Sequence, residues 1–215
     1  MKRILLILTL LSILGNVKAQ ELEVIKLNAP YITRGETVMA TLAKRHSERS
    51  FENKDLSFQD LSDLLWAAVG VNREDGRRTA PTASNKQEID IYVVMQDGAY
   101  LYNAAEHALQ PVAQGDHRAL VLGRQKYDNP PSLYLVIVAD LAKMGDVTAE
   151  QTKMMCAVDA GIACQNINIF CAATGLATVP RATMNKEELT KVLKLSDSQY
   201  LMVNNAVGYP KAIDN

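Results

Sequence analysis

Ala149 to Thr174, reading A-E-Q-T-K-M-M-C-A-V-D-A-G-I-A-C-Q-N-I-N-I-F-C-A-A-T, is the longest helical pattern in the chain, and Gly175 ends it. Met154, Met155, Val158, Ile162, Ile167, Ile169 and Phe170 leave it little polar face. A helix without a wet side is covered all round, by its own domain or by a partner. A domain of this size rarely buries so long a helix alone, so the pattern points to the spine of a homodimer. Asp159, Gln165, Asn166 and Asn168 would then seek partners across the interface. Cys156, Cys164 and Cys171 fall in the same helix, and two cysteines eight residues apart lie ~12 Å apart along its axis, too far for a disulfide. They are small core residues or a seam facing another subunit, and no metal-ligand spacing accompanies them.

Around this helix the chain mixes strands and helices. Leu133 to Ala139, L-Y-L-V-I-V-A, is continuously apolar and predicts a buried central strand. Ile89 to Met95 alternates, Gln96-Asp97-Gly98 turns, and Ala99 to Tyr102 returns as the second arm of a hairpin. Leu176 to Pro180 predicts a short strand leading into Arg181-Ala182-Thr183. Asn185 caps a last helix with Glu188 at the capping-box position, and Tyr200 to Val207 makes a final strand. Earlier, Ser57 is placed as an N-cap with Asp60 three residues on, and Leu61, Leu64, Leu65 and Ala68 form the apolar face of a helix that stops near Gly70. Trp66 lies off that stripe. Residues 104 to 131 give no decisive pattern beyond a short helix around Asp116 to Gly123 and a break at Pro130-Pro131. The fold class expected is α+β, a central, mostly antiparallel sheet flanked by helices, with a long buried helix at a dimer interface.

Two stretches carry chemistry. Leu42 to Phe51, L-A-K-R-H-S-E-R-S-F, gathers three cations, an imidazole and a hydroxyl within Lys44 to Arg49, where an amphipathic helix over Glu36 to Arg45 runs out. That helix places Val38, Leu42 and the Met39/Ala43 pair on one face, expected to pack inward. Arg45 and Arg49 are four apart, which in a continuing turn sets both guanidinium forks on one side. Guanidinium groups grip phosphate bidentately, so the cluster suits an anion; the alternative is a solvated helix end whose basic residues complement the dipole. Residues 72 to 87 form a polar loop of a length that compact domains keep mainly for function. Small residues at Ala80, Thr82, Ala83 and Ser84 around Pro81 admit a flat ligand, and Asn85 and Gln87 offer amides to a ring edge. The alternative is a mobile surface loop.

Lys2 and Arg3 precede the apolar run Ile4 to Leu14, and Val17-Lys18-Ala19 supplies small residues at the cleavage-determining positions, the pattern of a secretory signal over residues 1–19. This run of eleven residues, broken by Thr9 and Ser12, falls short of the ~20 that a spanning helix needs. Export, to a periplasm or beyond, is therefore expected. The remainder carries 20 basic and 24 acidic residues, a net charge of about −4, which makes nucleic acid an improbable partner. At 48% hydrophobic over the full chain, it suits one domain over residues 20–215. No segment after the leader is expected to span a membrane.

With these pieces in order, the chain resembles the FMN-dependent nitroreductase family over roughly residues 35 to 210. Arg45-His46-Ser47-Glu48-Arg49 with Phe51 looks like the family's R-[RH]-S-x-[RK]-x-[FY]. Pro81 to Gln87 looks like P-S-x-x-N-x-Q, the long helix carries Gln165-Asn166 before Gly175-Leu176, and Gly208-Tyr209-Pro210 closes the match. The resemblance implies a homodimer with two FMN sites at its interface. It implies that Arg45 and Ser47 hold the phosphate and ribityl chain with His46 assisting, and that Arg49 approaches the pyrimidine edge. Pro81, Thr82, Ala83 and Asn85 would line the ring and ribityl chain, and the turn Pro180-Arg181-Ala182 would cover one ring face and offer a backbone N–H. The implied activity is ping-pong hydride transfer from NAD(P)H to a small electron-poor acceptor such as a nitroaromatic or quinone, chosen by variable residues within 103 to 131. No metal is implied.

The chain departs from the pattern at three points. Glu88 and Ile89 follow Gln87 where relatives often have Pro-Trp, and Ala182 and Thr183 stand where a glycine is frequent. Lys211 is the candidate outer cation in place of a more distant basic pair. The wording Arg77 to Pro81 is also similar to the branch that contains azoline-oxidising dehydrogenases. Two other functions stay open: an exported flavin-binding protein without turnover, and a structural homodimer that has lost the cofactor.

Overall fold

A computed structural model of the chain describes residues 22–145 and 150–212; the leader expected over residues 1–19 lies outside the described residues. In chain order the elements are β1 (Ile25–Lys26), α1 (Val38–Lys44), α2 (Phe58–Val69), β2 (Ile89–Val94), β3 (Gly98–Asn103) and β4 (Ala108–Gln114). There follow α3 (Arg118–Leu122), β5 (Leu133–Asp140), α4 (Glu150–Thr174), β6 (Ala177–Arg181), α5 (Lys186–Val192) and β7 (Gln199–Gly208). The strands form a seven-stranded sheet in the order β1-β4-β3-β2-β5-β7-β6, and every neighbouring pair is antiparallel.

The apolar run of β5 is explained by its place. It lies between β2 and β7 near the middle of the sheet, and both its faces are covered. Leu133, Leu135 and Ile137 join the core against α2 and α4, while Tyr134, Val136 and Val138 join a second core with Leu189 and Leu193 on the far side. The sheet is thus sandwiched by helices, as expected. In α2 the predicted stripe is buried, and Ser57 accepts from the Asp60 N–H as its cap. Fully burying each such leucine is worth ~1.5–3 kcal/mol relative to exposure. Gly175, with φ +75°, takes the left-handed conformation that closes α4, and the Leu176 N–H reaches back to the Cys171 carbonyl at 2.9 Å.

Four expectations need correction. The apolar side of α1 does not pack inward: Val38 and Met39 are 69% and 76% exposed, Leu42 is exposed too, and Thr41 is the buried residue. Periodicity reports that a face exists, not what it meets. Second, α4 does have an outer face, where Lys153, Met154, Val158 and Gln165 are exposed, while its three cysteines are buried within the chain. Third, the polar interruptions of α4 find partners within the chain. Asp159 accepts from the Ala83 N–H at 2.8 Å, Asn166 donates to the Ala68 carbonyl at 3.3 Å, and Asn168 accepts from Asn205 at 2.9 Å and donates to Gln165 at 3.2 Å. Fourth, α4 is long and apolar enough to cross a membrane by length and composition, contrary to the expectation that no such segment follows the leader. Its inner face nevertheless packs against α2 and the sheet, as a core helix does.

Candidate functional site

The basic stretch leaves α1 as soon as the apolar sequence stops. Arg45 caps the helix with extended dihedrals (ψ 119°), so Arg45 and Arg49 are not one helical turn apart as a continuing helix would have placed them. Glu48 organises the turn that follows. Its N–H donates to the Thr178 carbonyl of β6 at 2.9 Å, and its carboxylate accepts from the N–H groups of Arg49 (2.7 Å) and Ser50 (2.8 Å). The Ser50 N–H, more than the burial that opposes it, and then the Arg49 N–H and the His46 ring, hold the Glu48 carboxyl below the usual carboxylate range. The sequence pattern gives this position as a spacer and misses its role. His46 is exposed, with Nδ1 2.8 Å from the Lys44 carbonyl, so that nitrogen carries the proton.

The Gly208-Tyr209-Pro210 motif runs beside this turn. Phe51 pairs with Pro210 in an isolated bridge, the Glu52 N–H donates to the Tyr209 carbonyl at 2.9 Å, and the Lys211 N–H donates to the Ser50 carbonyl at 3.1 Å. Lys211 is thereby set beside Arg49, and the two line a cleft of about 210 Å³ together with Lys126, Tyr127 and Asp128. None of Arg45, Arg49, Lys126 and Lys211 makes an ion pair among the described residues. Three cations against one carboxylate leave the cleft with net positive charge that suits an anionic ligand. Lys126 and Tyr127, about 75 residues from Arg49, carry no local signal that sequence alone could have used.

On the other side of the same segment, Gly123, Arg124 and Gln125 line a hollow of about 810 Å³ with Ala182, Thr183 and Met184. Pro180 and Arg181 are the last residues of β6 rather than a turn. The Arg181 side chain is buried away from both hollows. It donates to the carbonyls of Val121 (3.1 Å), Leu122 (2.6 Å) and Thr183 (3.2 Å), and its guanidinium lies 5.8 Å from the centre of the Tyr134 ring. It therefore shapes the hollow's wall, and the chain first becomes free at Ala182.

Pro81, Thr82, Ala83 and Asn85 lie elsewhere. A 3-10 turn over Ala83–Asn85 is tied to α4 through Asp159, whereas His46 and Glu48 line a small hollow with Asn168 and Thr178 at the other end of that helix. Nine residues of helix separate Asp159 from Asn168, ~13 Å along the axis. Ser84, Asn85 and Gln87 all have left-handed backbones, with φ of 52°, 53° and 50°. The Gln87 amide is spent inside the loop, donating to the Gly76 carbonyl at 3.1 Å, so it does not present itself to a ring edge as expected. One chain thus assembles the basic turn, Lys211 and the Ala182 hollow, and holds the Pro81 loop apart from them.

Sheet order and helix placement define an α+β scaffold that carries cation-lined clefts, and comparison with known proteins gives the family. The sequence pattern of the nitroreductase family matches residues 42–209, and the chain belongs to that family. It is similar to a protein of Methanocaldococcus jannaschii named as a candidate nitroreductase, 26% identical over 171 residues that span 75% of this chain and 86% of that one. A crystal structure of a candidate nitroreductase from Ralstonia eutropha is 33% identical and covers 88% of this chain and 90% of its own, with a TM-score of 0.83. A chain of the Escherichia coli microcin synthetase McbBCD complex, at 18% identity and a TM-score of 0.68 over 91% of this chain and 80% of that one, shares the fold.

Proposed function

We propose that the chain is an FMN-dependent oxidoreductase that passes a hydride from NAD(P)H to a small electron-poor acceptor, in sites shared between two copies. The observation that carries this is the convergence of Arg49, Lys126 and Lys211, without ion pairs, on the cleft beside the Ala182–Thr183 hollow. Bound FMN would supply the hydride chemistry, accepting from the nicotinamide and donating to a nitroaromatic, a quinone or a similar acceptor. Arg45 and Ser47 would hold its phosphate and ribityl chain with Lys211 as the outer cation. His46 would assist through Nε2, which lies 3.5 Å from the Glu48 carboxylate, while Nδ1 is engaged with the Lys44 carbonyl. Arg49 would stabilise negative charge at the ring edge, and the N–H of Ala182, just beyond Pro180 and Arg181, would be the backbone donor. The expectation that residues within 103 to 131 choose the acceptor fits the hollow's wall at Ala119, Leu120 and Gly123 to Gln125.

The partner copy would bring Pro81, Thr82, Ala83 and Asn85, which one chain keeps away from its own basic turn. The exposed apolar groups of α1 (Val38, Met39, Leu42) and α4 (Met154, Val158) supply a surface for that partner. Met39→Glu is expected to move the protein from dimer to monomer in size-exclusion chromatography with light scattering, and to reduce flavin retention with it; an intact dimer that keeps its flavin would rule this surface out. The leader motif supports action outside the cytoplasm, where the donor's supply differs from that inside.

The first experiment is the visible spectrum of purified residues 20–215 after FMN addition and desalting, followed by anaerobic NADH or NADPH. A retained band near ~450 nm that bleaches with donor supports the oxidoreductase. A retained band that does not bleach favours a flavin-binding protein without turnover, and the absence of any band favours a structural dimer.

A further inference from the structure

Glu88 is buried completely, and neither of its carboxylate oxygens makes a well-formed hydrogen bond, its own N–H and the Thr82 hydroxyl being only loosely placed toward it. It follows directly on the Pro81–Gln87 loop, and the group that faces it is the carboxylate of Asp159 on α4. Asp159, itself buried, uses Oδ2 to hold the Ala83 N–H of that loop at 2.8 Å. Two buried acidic side chains that face each other, one of them without a well-formed hydrogen bond, cannot both be ionised at low cost.

The backbones behind both groups are pinned. The Asp140 N–H donates to the Glu88 carbonyl at 2.9 Å, β2 begins at the next residue, and Asp159 sits within α4. The loop is the part that can yield, and its left-handed residues at 84, 85 and 87 persist only while surrounding contacts hold them. Besides the Asp159 bond, those contacts include the Thr82 hydroxyl accepting from the Gln87 N–H (2.8 Å), the Gln87 amide donating to the Gly76 carbonyl (3.1 Å), Lys143 reaching the Gln87 carbonyl (3.3 Å) and the Asn85 and Lys86 N–H groups on the Thr82 and Ala83 carbonyls.

We propose that Glu88 and Asp159 hold a single proton between them, and that this proton fixes the Pro81–Gln87 loop to α4 in the shape that meets the cofactor. Both are positioning residues. The claim about the cofactor rests on the assignment of this loop to the flavin site; the claim about the proton does not. Burial first, and then Asp159, push the Glu88 carboxyl up to about 7, against weaker pulls from its own N–H and the Thr82 hydroxyl. The other charged or titratable groups that interact with it are Cys156 of α4, whose thiol burial pushes up to about 11 and keeps neutral, and the Arg78 guanidinium; Asp140 at the end of β5 acts on Cys156 and meets Glu88 through its backbone N–H. Lys143 is engaged with Asp90 at 3.5 Å. Among the described residues no group of three or more His, Cys, Asp or Glu side chains could hold a metal ion in place of the proton.

Glu88 has a folded pKa above its unfolded value, so the stability tied to its proton is complete below pH ~4.5 and is lost as the pH rises toward about 7. The test is amide hydrogen exchange of the mature chain without added flavin, at pH 6 and pH 8.5, corrected for the intrinsic rate. Protection of Ala83 to Gln87 should fall about tenfold in the wild type and stay level in Glu88→Gln, whose amide donates to Asp159 at every pH. Asp159→Asn, which supplies the permanent donor from the other side, serves as the second variant and should behave alike. In parallel, the FMN dissociation constant should rise by a similar factor in the wild type alone; titration of the FMN phosphate is common to all three proteins and cancels in the ratio. Parallel exchange profiles in wild type and variants would overturn the shared proton. The expected exchange profiles with no FMN bound by any protein would leave the proton standing and remove the loop's assignment to the cofactor.

Discussion

Arg49→Ala is expected to weaken FMN binding by about 10- to 100-fold, the scale of one lost charge-assisted hydrogen bond pair at ~1.5–3 kcal/mol. Arg49 is exposed and makes no ion pair among the described residues, so its removal leaves no buried partner among them without a bond. The turn survives the substitution, because it is held by backbone groups: the Arg49 and Ser50 N–H groups stay on Glu48, and the Lys211 N–H stays on Ser50. Thermal stability of the flavin-free protein should therefore hardly change, and flavin fluorescence quenching should report the whole effect. Arg49→Lys, which keeps the charge and loses the fork, should fall between the two. An unaltered FMN affinity in Arg49→Ala would remove this residue from the site.

Asp60→Ala should be the most damaging single change to the fold away from the apolar core, by about 3–5 kcal/mol or ~10 °C in melting temperature. Two distant parts of the chain and the N-cap of its own helix meet on this buried carboxylate. Arg34 of the segment before α1 ion-pairs with it, the Ser57 hydroxyl donates to it at 2.7 Å, and the Tyr209 hydroxyl donates to it at 2.5 Å. Arg34 also grips Asp63 at 3.0 Å, so a lost Asp60 leaves a half-paired guanidinium as well. Burial pushes the Asp60 carboxyl up, but the Tyr209 and Ser57 hydroxyls and Arg34 together pull it further down, below the ordinary aspartate value. A depressed folded pKa means that its contribution is complete above pH ~4 and disappears as the pH falls through the lower folded value. The stability gap between wild type and Asp60→Asn should accordingly narrow in urea melts taken at pH 3 relative to pH 7. A gap that stays constant would show that the carboxylate's charge is not what Arg34 needs.

How much of this could be read beforehand depended on how local the cause was. The cap and stripe of α2, the apolar run of β5, the hairpin at Asp97-Gly98 and the capped α5 are each specified within a dozen residues, and each was legible. Strand β4 was not, because Pro111 interrupts a half-buried pattern near the edge of the sheet, where alternation is weak. The inward packing expected of α1 failed for a different reason: spacing defines a stripe, and only the rest of the fold decides whether the stripe meets the core. In the candidate site, the basic turn and the Pro81 loop announced themselves by composition. Glu48 and Lys126 did not, since one acts through backbone groups and the other arrives from a remote segment. Glu88 showed only as a departure from the family wording; its isolation is created by Asp159, far along the chain.

The Thr178 carbonyl accepts from the Glu48 N–H, which lays the basic turn against β6, the last strand of the sheet. Pro180, exposed on that strand, has no N–H to offer, so the turn and the proline between them blunt the β6 edge of the sheet, one of the two edges at which a neighbouring molecule could add a strand of its own. The cofactor recognition proposed for this turn and the protection of the sheet edge would therefore be vested in the same few residues. Lesions that detach the 45–50 turn should show up as turbidity and as sticky, oligomeric material during purification, before any loss of colour could be measured.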